Sequence, residues 1–131
     1  MRVYLDTAPV IYLVKGVPND AELVDRCVSV AEVIQVASDL TRMECRVKPL
    51  REGNTALLHD YDEYFAEVVE EMVVLSRAVI DRATDIRARY GFRTPDAIHL
   101  AAAVLSGCDV FLTNDYRLQR FPDIAMDVIQ P

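Results

Sequence analysis

The amino-acid sequence predicts an α/β domain built on a mostly parallel sheet. Short apolar segments alternate along the chain with longer segments whose apolar residues have helical spacing, which is the pattern of parallel strands joined by helices. The 131 residues are 52% hydrophobic, enough for a substantial core. Because the chain contains no repeat, low-complexity tract or Gly/Ser linker, we expect residues 1–131 to form one domain.

The first half of the chain is predicted to contain two strands and four helices. Each strand is a short apolar run, and each helix has apolar residues three or four positions apart. In chain order, the predicted elements are a strand at Arg2–Leu5, helices from Thr7 through Val14 and from Asp20 to about Ser29, a strand at Val33–Ala37, a helix capped by Ser38 or Asp39, and a helix from Asn54 to about Val68.

The helix that follows the second strand has two further sequence features. Leu40, Met43 and Val47 have the spacing of one helix face and are predicted to form its buried apolar stripe. Pro49 lacks a backbone N–H and is expected to end or kink this helix.

The second half of the chain is predicted to contain two helices and three short strands. Thr94 is expected to cap the later helix, with Pro95 at its first position and Gly107 closing it. The predicted elements are a strand at Met72–Leu75, a helix at Arg77–Tyr90, a helix that Thr94 caps and that runs through Leu105, and strands at Val110–Leu112 and Ala125–Ile129.

Charge and composition narrow the class of protein. The net charge of −7 provides no global positive field that would attract nucleic acid, although a local basic group surrounds Glu44. No apolar segment has the length of a signal-peptide core at the amino terminus or of a membrane span. Cys27, Cys45 and Cys108 are widely spaced, which predicts reduced thiols in a cytoplasmic protein.

Four carboxylates are expected at one edge of the sheet. Asp6 directly follows the first strand, and Asp115 follows the strand at Val110–Leu112 after a Thr-Asn step. Asp96 lies in the first turn of its helix and Glu44 about a turn and a half into another, and these helices begin at the same edge. Clustered acids repel one another unless a cation joins them, so the set predicts a divalent metal site.

Each carboxylate also has a structural explanation. Asp96 would complement its helix dipole, and Asp115 would suit a turn. Glu44 would form a surface ion pair with Lys48 at i,i+4. Asp6 is the hardest to explain in this way, because an unpaired acid between a buried strand and an apolar helix is costly.

Three neighbours of these acids are weaker candidates. His99 shares a helix face with Asp96, but its apolar neighbours favour a packed, hydrogen-bonded histidine over a metal ligand. Thr113 and Asn114 would either orient Asp115 or a metal-bound water, or form an ordinary turn.

Four motifs resemble the PIN-domain family. They are LDT at the end of the first strand, SDLTRME in the helix after the second strand, TPDAIHLAAA at the start of a late helix, and LTND after the next strand. More narrowly, the chain resembles the VapC-type ribonuclease toxins of bacterial toxin–antitoxin pairs over essentially its whole length. The resemblance implies a three-layer α/β/α sandwich with a parallel sheet of four or five strands.

The resemblance also implies a function. It implies an endoribonuclease that depends on Mg²⁺ or Mn²⁺, forms homodimers and is inhibited by a small antitoxin protein. Carried over by motif, the acidic site is Asp6, Glu44, Asp96 and Asp115. Asp6 and Asp96 correspond to the main metal ligands, and Thr113 resembles the supporting hydroxyl of the family.

The chemistry of these residue types agrees with that reading. Mg²⁺ prefers oxygen ligands and keeps several waters, which suits a site of carboxylates without cysteine. Glu44 or Asp115 would orient or deprotonate the attacking water. The basic residues expected to contact the RNA backbone are Arg42, Arg46 and Lys48.

Two other classes of protein also place acids at strand ends or within an α/β domain. A phosphoryl-transfer domain is disfavoured, because the haloacid-dehalogenase pattern needs Asp where Ala8 stands and a receiver domain needs a late lysine, whereas no lysine follows Lys48. The remaining alternative is a non-catalytic or RNA-processing PIN-like module that binds RNA or protein outside a toxin–antitoxin system.

Overall fold

A five-stranded, all-parallel sheet forms the centre of the molecule. The computed structural model describes residues 1–129, and its strand order is β3-β2-β1-β4-β5. The strands are β1 at Arg2–Leu5, β2 at Ile34–Ser38, β3 at Glu71–Val73, β4 at Val110–Thr113 and β5 at Ala125–Val128. The predicted α/β class with a parallel sheet is therefore confirmed.

Helices connect the strands and cover both faces of the sheet. They are α1 at Thr7–Lys15, α2 at Asp20–Val28, α3 at Asp39–Arg51, α4 at Thr55–Glu63, α5 at Arg77–Tyr90 and α6 at Thr94–Leu105. A π-helical turn at Tyr64–Val68 extends α4, and a 3₁₀ turn at Tyr116–Arg120 follows β4. The sequence had predicted one continuous helix where α4 and the π-helical turn lie.

The hydrophobic core has two parts, one on each face of the sheet. Successive strand residues point to opposite faces. Tyr4 and Phe111 pack with α5 and α6 on one face, whereas Leu5 and Leu112 pack with residues of α1 to α4 on the other. This division produces the three-layer α/β/α sandwich that the family resemblance implied.

The predicted buried stripe of α3 was wrong for two of its three residues, because Leu40 is buried but Met43 and Val47 are not. Met43 is 55% exposed and Val47 is 44% exposed, whereas Thr41 and Cys45 are buried. Thr41 occupies a core-facing position because its side chain completes the capping box with Ser38 and its hydroxyl donates to the carbonyl of Leu5, over 3.3 Å. With its polar atoms bonded, Thr41 can be buried at little cost.

Two helix boundaries also differ from the predictions. Pro49 does not end α3, which continues to Arg51. Its missing N–H lies near the last turn and costs the helix only one hydrogen bond. Helix α6 begins at Thr94, one residue earlier than predicted, and Arg93 occupies the N-cap position without a side-chain capping bond. The Thr94 hydroxyl instead accepts a hydrogen bond from Arg87 Nη1, over 2.5 Å.

None of the helices in the described part of the chain is both long and apolar enough to cross a membrane. Cys27, Cys45 and Cys108 are all free thiols.

Candidate active site

The four carboxylates singled out in the sequence surround one cavity of about 300 Å³. Asp6 and Asp115 reach it from the carboxyl ends of β1 and β4, and Asp96 reaches it from the first turn of α6. Glu44 enters from α3. The structure also places His99 and Asn114 in the wall of this cavity. The parallel topology brings these residues together from four separate elements.

Asp6 is held by donors on both of its carboxylate oxygens. Its Oδ1 accepts from the backbone N–H of Thr7 over 2.8 Å, which also caps α1, and its Oδ2 accepts from the hydroxyl of Thr113 over 2.7 Å. The side chain is 16% exposed. The backbone of Thr7 and the hydroxyl of Thr113 thus fix the Asp6 carboxylate at the edge of the cavity, and His99 Nε2 lies 3.6 Å from its Oδ1.

Glu44 is held by His99 and Thr7 and not by Lys48. Its Oε1 lies 2.6 Å from His99 Nε2 and accepts a hydrogen bond from the Thr7 hydroxyl over 2.7 Å. Burial alone would raise the pKa of Glu44, but these hydrogen bonds and the field of the imidazole outweigh it, so the pKa is lowered. The carboxylate is therefore kept ionised at the rim of the cavity.

His99 links the cavity to a buried polar network. The ring is 2% exposed, and its Nδ1 lies 2.7 Å from the Tyr4 hydroxyl, which in turn lies 2.8 Å from Ser38 Oγ. A carboxylate only accepts hydrogen bonds, so Nε2 carries the proton directed at Glu44. Sequence reasoning treated His99 as a packed histidine and overlooked Tyr4, although Tyr4 lies in β1 only two positions before Asp6.

Asp96 contrasts with the other carboxylates. Its side chain is 19% exposed, and no hydrogen bond to its carboxylate occurs among residues 1–129. Its nearest cation is Arg93, whose Nε lies 3.6 Å from Oδ2. Burial raises the pKa of Asp96; the charge of Arg93 opposes this shift, and those of Asp6 and Asp115 add to it. This carboxylate therefore has one ion pair with an exposed arginine and accepts no hydrogen bond from the described residues.

Asp115 is neutralised by a residue two positions further along the chain. Arg117 Nε lies 2.9 Å from Oδ1, and its Nη2 lies 2.7 Å from Oδ2. This two-pronged contact is the main reason that the pKa of Asp115 is lowered. Both carboxylate oxygens are occupied by the guanidinium, so Asp115 would have to exchange this partner before it could bind a cation.

A PIN domain family model matches residues 3–124. The chain belongs to the PIN-domain family. Among curated protein sequences, none matches it.

Solved structures of VapBC proteins share the fold of this PIN domain. VapBC2 from Rickettsia felis bound to promoter DNA aligns with a TM-score of 0.81 and 12% identity, covering 99% of this chain and 100% of that chain. DNA-bound VapBC from Salmonella typhimurium aligns with a TM-score of 0.73 and 21% identity, covering 99% of each chain. Mycobacterium tuberculosis VapC20, a toxin that cleaves the sarcin–ricin loop, aligns with a TM-score of 0.73 and 12% identity, covering 94% of this chain and 98% of that chain.

The donor set of this PIN domain fits a hard divalent cation. All four acids supply oxygen, the ligand type that Mg²⁺ and Mn²⁺ prefer. Asp96, which lies near Asp6 and Asp115 and lacks a hydrogen bond, is the observation that favours a cation there. Within residues 1–129, no three acidic, His or Cys side chains are grouped closely enough to hold one ion together. Asp6, Glu44 and Asp115 are each bonded to donors of the protein.

The basic residues that the sequence offered for RNA binding lie elsewhere. Arg42 and Arg46 both pair with Asp62 of α4, with nitrogen–oxygen distances of 3.3 Å and 2.8 Å. Lys48 is exposed and borders a neighbouring cavity that shares Glu44. Sequence reasoning could not anticipate the pairing with Asp62, because that residue lies on a different helix.

Proposed function

We propose that the protein is a metal-dependent endoribonuclease that hydrolyses RNA phosphodiester bonds and acts as the toxin of a toxin–antitoxin pair. The observation that carries the proposal is the Asp96 carboxylate, which accepts no hydrogen bond from the described residues and lies beside Asp6 and Asp115 at the carboxyl edge of the sheet. Membership of the PIN-domain family and the VapBC fold neighbours support the same reading.

Asp6 and Asp96 would hold the cation, either Mg²⁺ or Mn²⁺. When bound, the ion would lower the pKa of a coordinated water and offset charge that develops on the phosphoryl oxygens. Asp6 would be positioned for this role by Thr7 and Thr113, which bond both of its oxygens. Asp115 would join the site after release from Arg117.

Glu44 is the best candidate to orient or deprotonate the attacking water. Its lowered pKa keeps it ionised at neutral pH, as a proton acceptor requires. Its Oε1 is occupied by His99 and Thr7, so we assign the acceptor role to Oε2. His99 then serves as a positioning residue, because it acts through Glu44.

A cleavage assay with Asp6→Asn tests the proposal. In the wild-type protein, Mn²⁺ or Mg²⁺ should support cleavage of a labelled single-stranded RNA, and EDTA should stop it. Removal of one ligand charge should lower the rate by about 100-fold or more. Arg26→Gln, an exposed change on α2, is the matched control and should cleave normally.

Unchanged metal-dependent cleavage by Asp6→Asn, in a preparation free of contaminating nuclease, would reject the assignment. A wild-type protein that binds RNA but never cleaves it with either metal would favour the non-catalytic module.

The toxin role adds protein partners to the proposal. We propose a small antitoxin and a second copy of this chain, in a cytoplasmic setting. The VapBC complexes among the fold neighbours support the antitoxin. Co-expression with the product of an adjacent small gene, followed by light scattering of the purified complex, measures both the partner and the copy number. A chain that purifies as a monomer and does not bind that gene product would argue against the toxin role.

A further inference from the structure

A second depression, of about 140 Å³, adjoins the acidic cavity and shares Asp96 and Asp115 with it. Three arginines line this depression: Arg93, Arg117 and Arg120. We call it the arginine groove. In a chain with a net charge of −7, three guanidinium groups around one small depression form a local concentration of positive charge.

Arg120 forms a fixed wall of the groove. Its guanidinium carbon lies 3.9 Å from the centre of the Phe92 ring, and its Nη1 donates to the carbonyl of Tyr90 over 2.6 Å. These contacts hold the planar group in place, and no carboxylate of the described residues pairs with it. Arg120 is therefore an oriented cation without a counter-charge.

Arg93 and Arg117 have carboxylate partners that belong to the acidic cavity. Arg93 lies 3.6 Å from Asp96, and Arg117 grips both oxygens of Asp115. The side chains of the two arginines are 75% and 64% exposed, so they can turn without repacking the core. Either guanidinium can therefore exchange its carboxylate for another anion, with or without a cation on Asp96 and Asp115.

A phosphate diester is the ligand that matches these groups. Its two free oxygens present the same planar pair of acceptors as a carboxylate, and guanidinium binds both in a two-pronged manner. Tyr116, 66% exposed, lies next to Arg117 in the chain and offers an aromatic face of the kind on which unpaired bases stack.

We propose that the arginine groove binds a backbone phosphate of single-stranded RNA next to the bond that is cleaved. The inference rests on the proposed function, because the shared Asp96 and Asp115 define where the cleaved bond lies. In this proposal the arginine groove supplies the main contacts to the RNA backbone, in place of Arg42 and Arg46, which pair with Asp62. An acidic protein segment is the competing ligand, and RNA is favoured because the exposed Tyr116 beside the groove offers an unpaired base a face to stack on.

Fluorescence anisotropy of a labelled single-stranded RNA in EDTA measures the groove without catalysis. The double variant Arg93→Gln/Arg120→Gln should raise Kd by about 10-fold at low salt and lower the slope of log K against log salt by roughly 0.7, the value for one lost phosphate contact on a single strand. Arg26→Gln/Arg51→Gln is the matched control. It removes the same charge from exposed positions outside both cavities and should change Kd by less than about 2-fold.

Arg120→Lys separates an effect on folding from an effect on RNA binding. Lysine keeps the positive charge but loses the planar stack on Phe92, so a change in Kd without a change in Tm reflects binding alone. The Kd of this variant should lie between those of the wild type and the double variant, with an unchanged Tm. A double variant that binds RNA no worse than the control would overturn the proposal. A double variant that binds RNA normally but loses binding to poly-L-glutamate would also overturn it, in favour of an acidic protein partner.

The test is separate from the test of the proposed function. RNA binding in EDTA depends on the arginine groove, whereas cleavage depends on Asp6. Normal cleavage by Asp6→Asn would remove the nuclease assignment and leave the binding result readable. Loss of cleavage in Asp6→Asn with no effect of the double variant would remove only the groove.

Discussion

The inner and outer halves of the acidic site stabilise their carboxylates in different ways. The inner half, Asp6 and Glu44, is bonded by hydroxyl, amide and imidazole groups that are largely buried. The outer half, Asp96 and Asp115, relies on two exposed arginines. Buried hydrogen-bond donors fix a geometry, whereas exposed ion pairs exchange readily with solvent or ligand. The inner half is thus preorganised, and the outer half is ready to exchange partners.

Asp96 and Asp115 show the same contrast within the outer half. Burial and neighbouring acids raise the pKa of Asp96, whereas Arg117 lowers that of Asp115. Metal binding would offset the charge repulsion on Asp96, whereas at Asp115 it would compete with Arg117. We therefore expect Asp96 to account for more of the metal affinity than Asp115.

Replacement of His99 is the largest stability change we expect, and it tests whether the inner half is preorganised. His99→Ala should lower the free energy of unfolding by about 2–3 kcal/mol, because it empties a buried site and removes partners from Tyr4 and Glu44. Urea denaturation measures the change.

His99→Gln is the conservative control for that change. Its amide N–H can reach one of the two partners, so about half of the lost stability should return. If His99 acts by holding Glu44, the cleavage rate of His99→Gln should likewise lie between those of His99→Ala and the wild type. A fully stable His99→Ala would mean that the inner half does not depend on this network.

Asp96→Asn should raise the stability of the metal-free protein by about 0.5 kcal/mol at neutral pH. The sign follows from linkage: the folded pKa of Asp96 is raised, so its contribution is most favourable below the unfolded pKa and is lost as pH rises through the folded pKa. The difference in Tm between variant and wild type in EDTA should accordingly shrink on acidification.

Titration of Mn²⁺ into the same two proteins sharpens the contrast between Asp96 and Asp115. Thermal stabilisation by the metal should be large for the wild type, nearly absent for Asp96→Asn and partly kept by Asp115→Asn. Equal loss in both variants would show that the two outer carboxylates contribute alike.

The smallest effect we expect is the pH dependence that Asp115 contributes. Its folded pKa is lowered, so its pair with Arg117 stabilises the fold above the unfolded value near 3.8 and loses this effect as pH falls through the folded pKa. Asp115→Asn should remove that part of the acid-side slope in a Tm–pH profile. An identical slope in Arg117→Gln and wild type would mean that the ion pair is too well solvated to matter.

The sheet and the meeting of the four acids could be predicted because they depend on a general rule. Parallel strands end at one edge of the sheet, and a helix that leads back into the next strand, as α6 leads into β4, begins at that edge. Asp6, Asp96 and Asp115 therefore had to converge. Strand positions were predicted to within two residues, because short apolar runs flanked by polar residues mark the strands clearly.

The partners of those acids could not be predicted, because they depend on the rotation of individual helices and side chains. The apolar residues of α3 suggested that Met43 and Val47 face the core, but Thr41 satisfied its hydroxyl against Leu5 and was buried in their place. Arg117 stands two residues from Asp115 and was a readable signal, yet nothing local required its guanidinium to fold back on that carboxylate.

The central position of β1 also has a consequence for any divided form of this protein. A break in the segment between α4 and β3 would leave Asp6 and Glu44 on one fragment and Asp96 and Asp115 on the other. Each fragment would hold half of the acids, and the strand that carries Asp6 would lack its neighbour β4. The proposed cleavage activity would then report reassembly of the two fragments, as in a split enzyme.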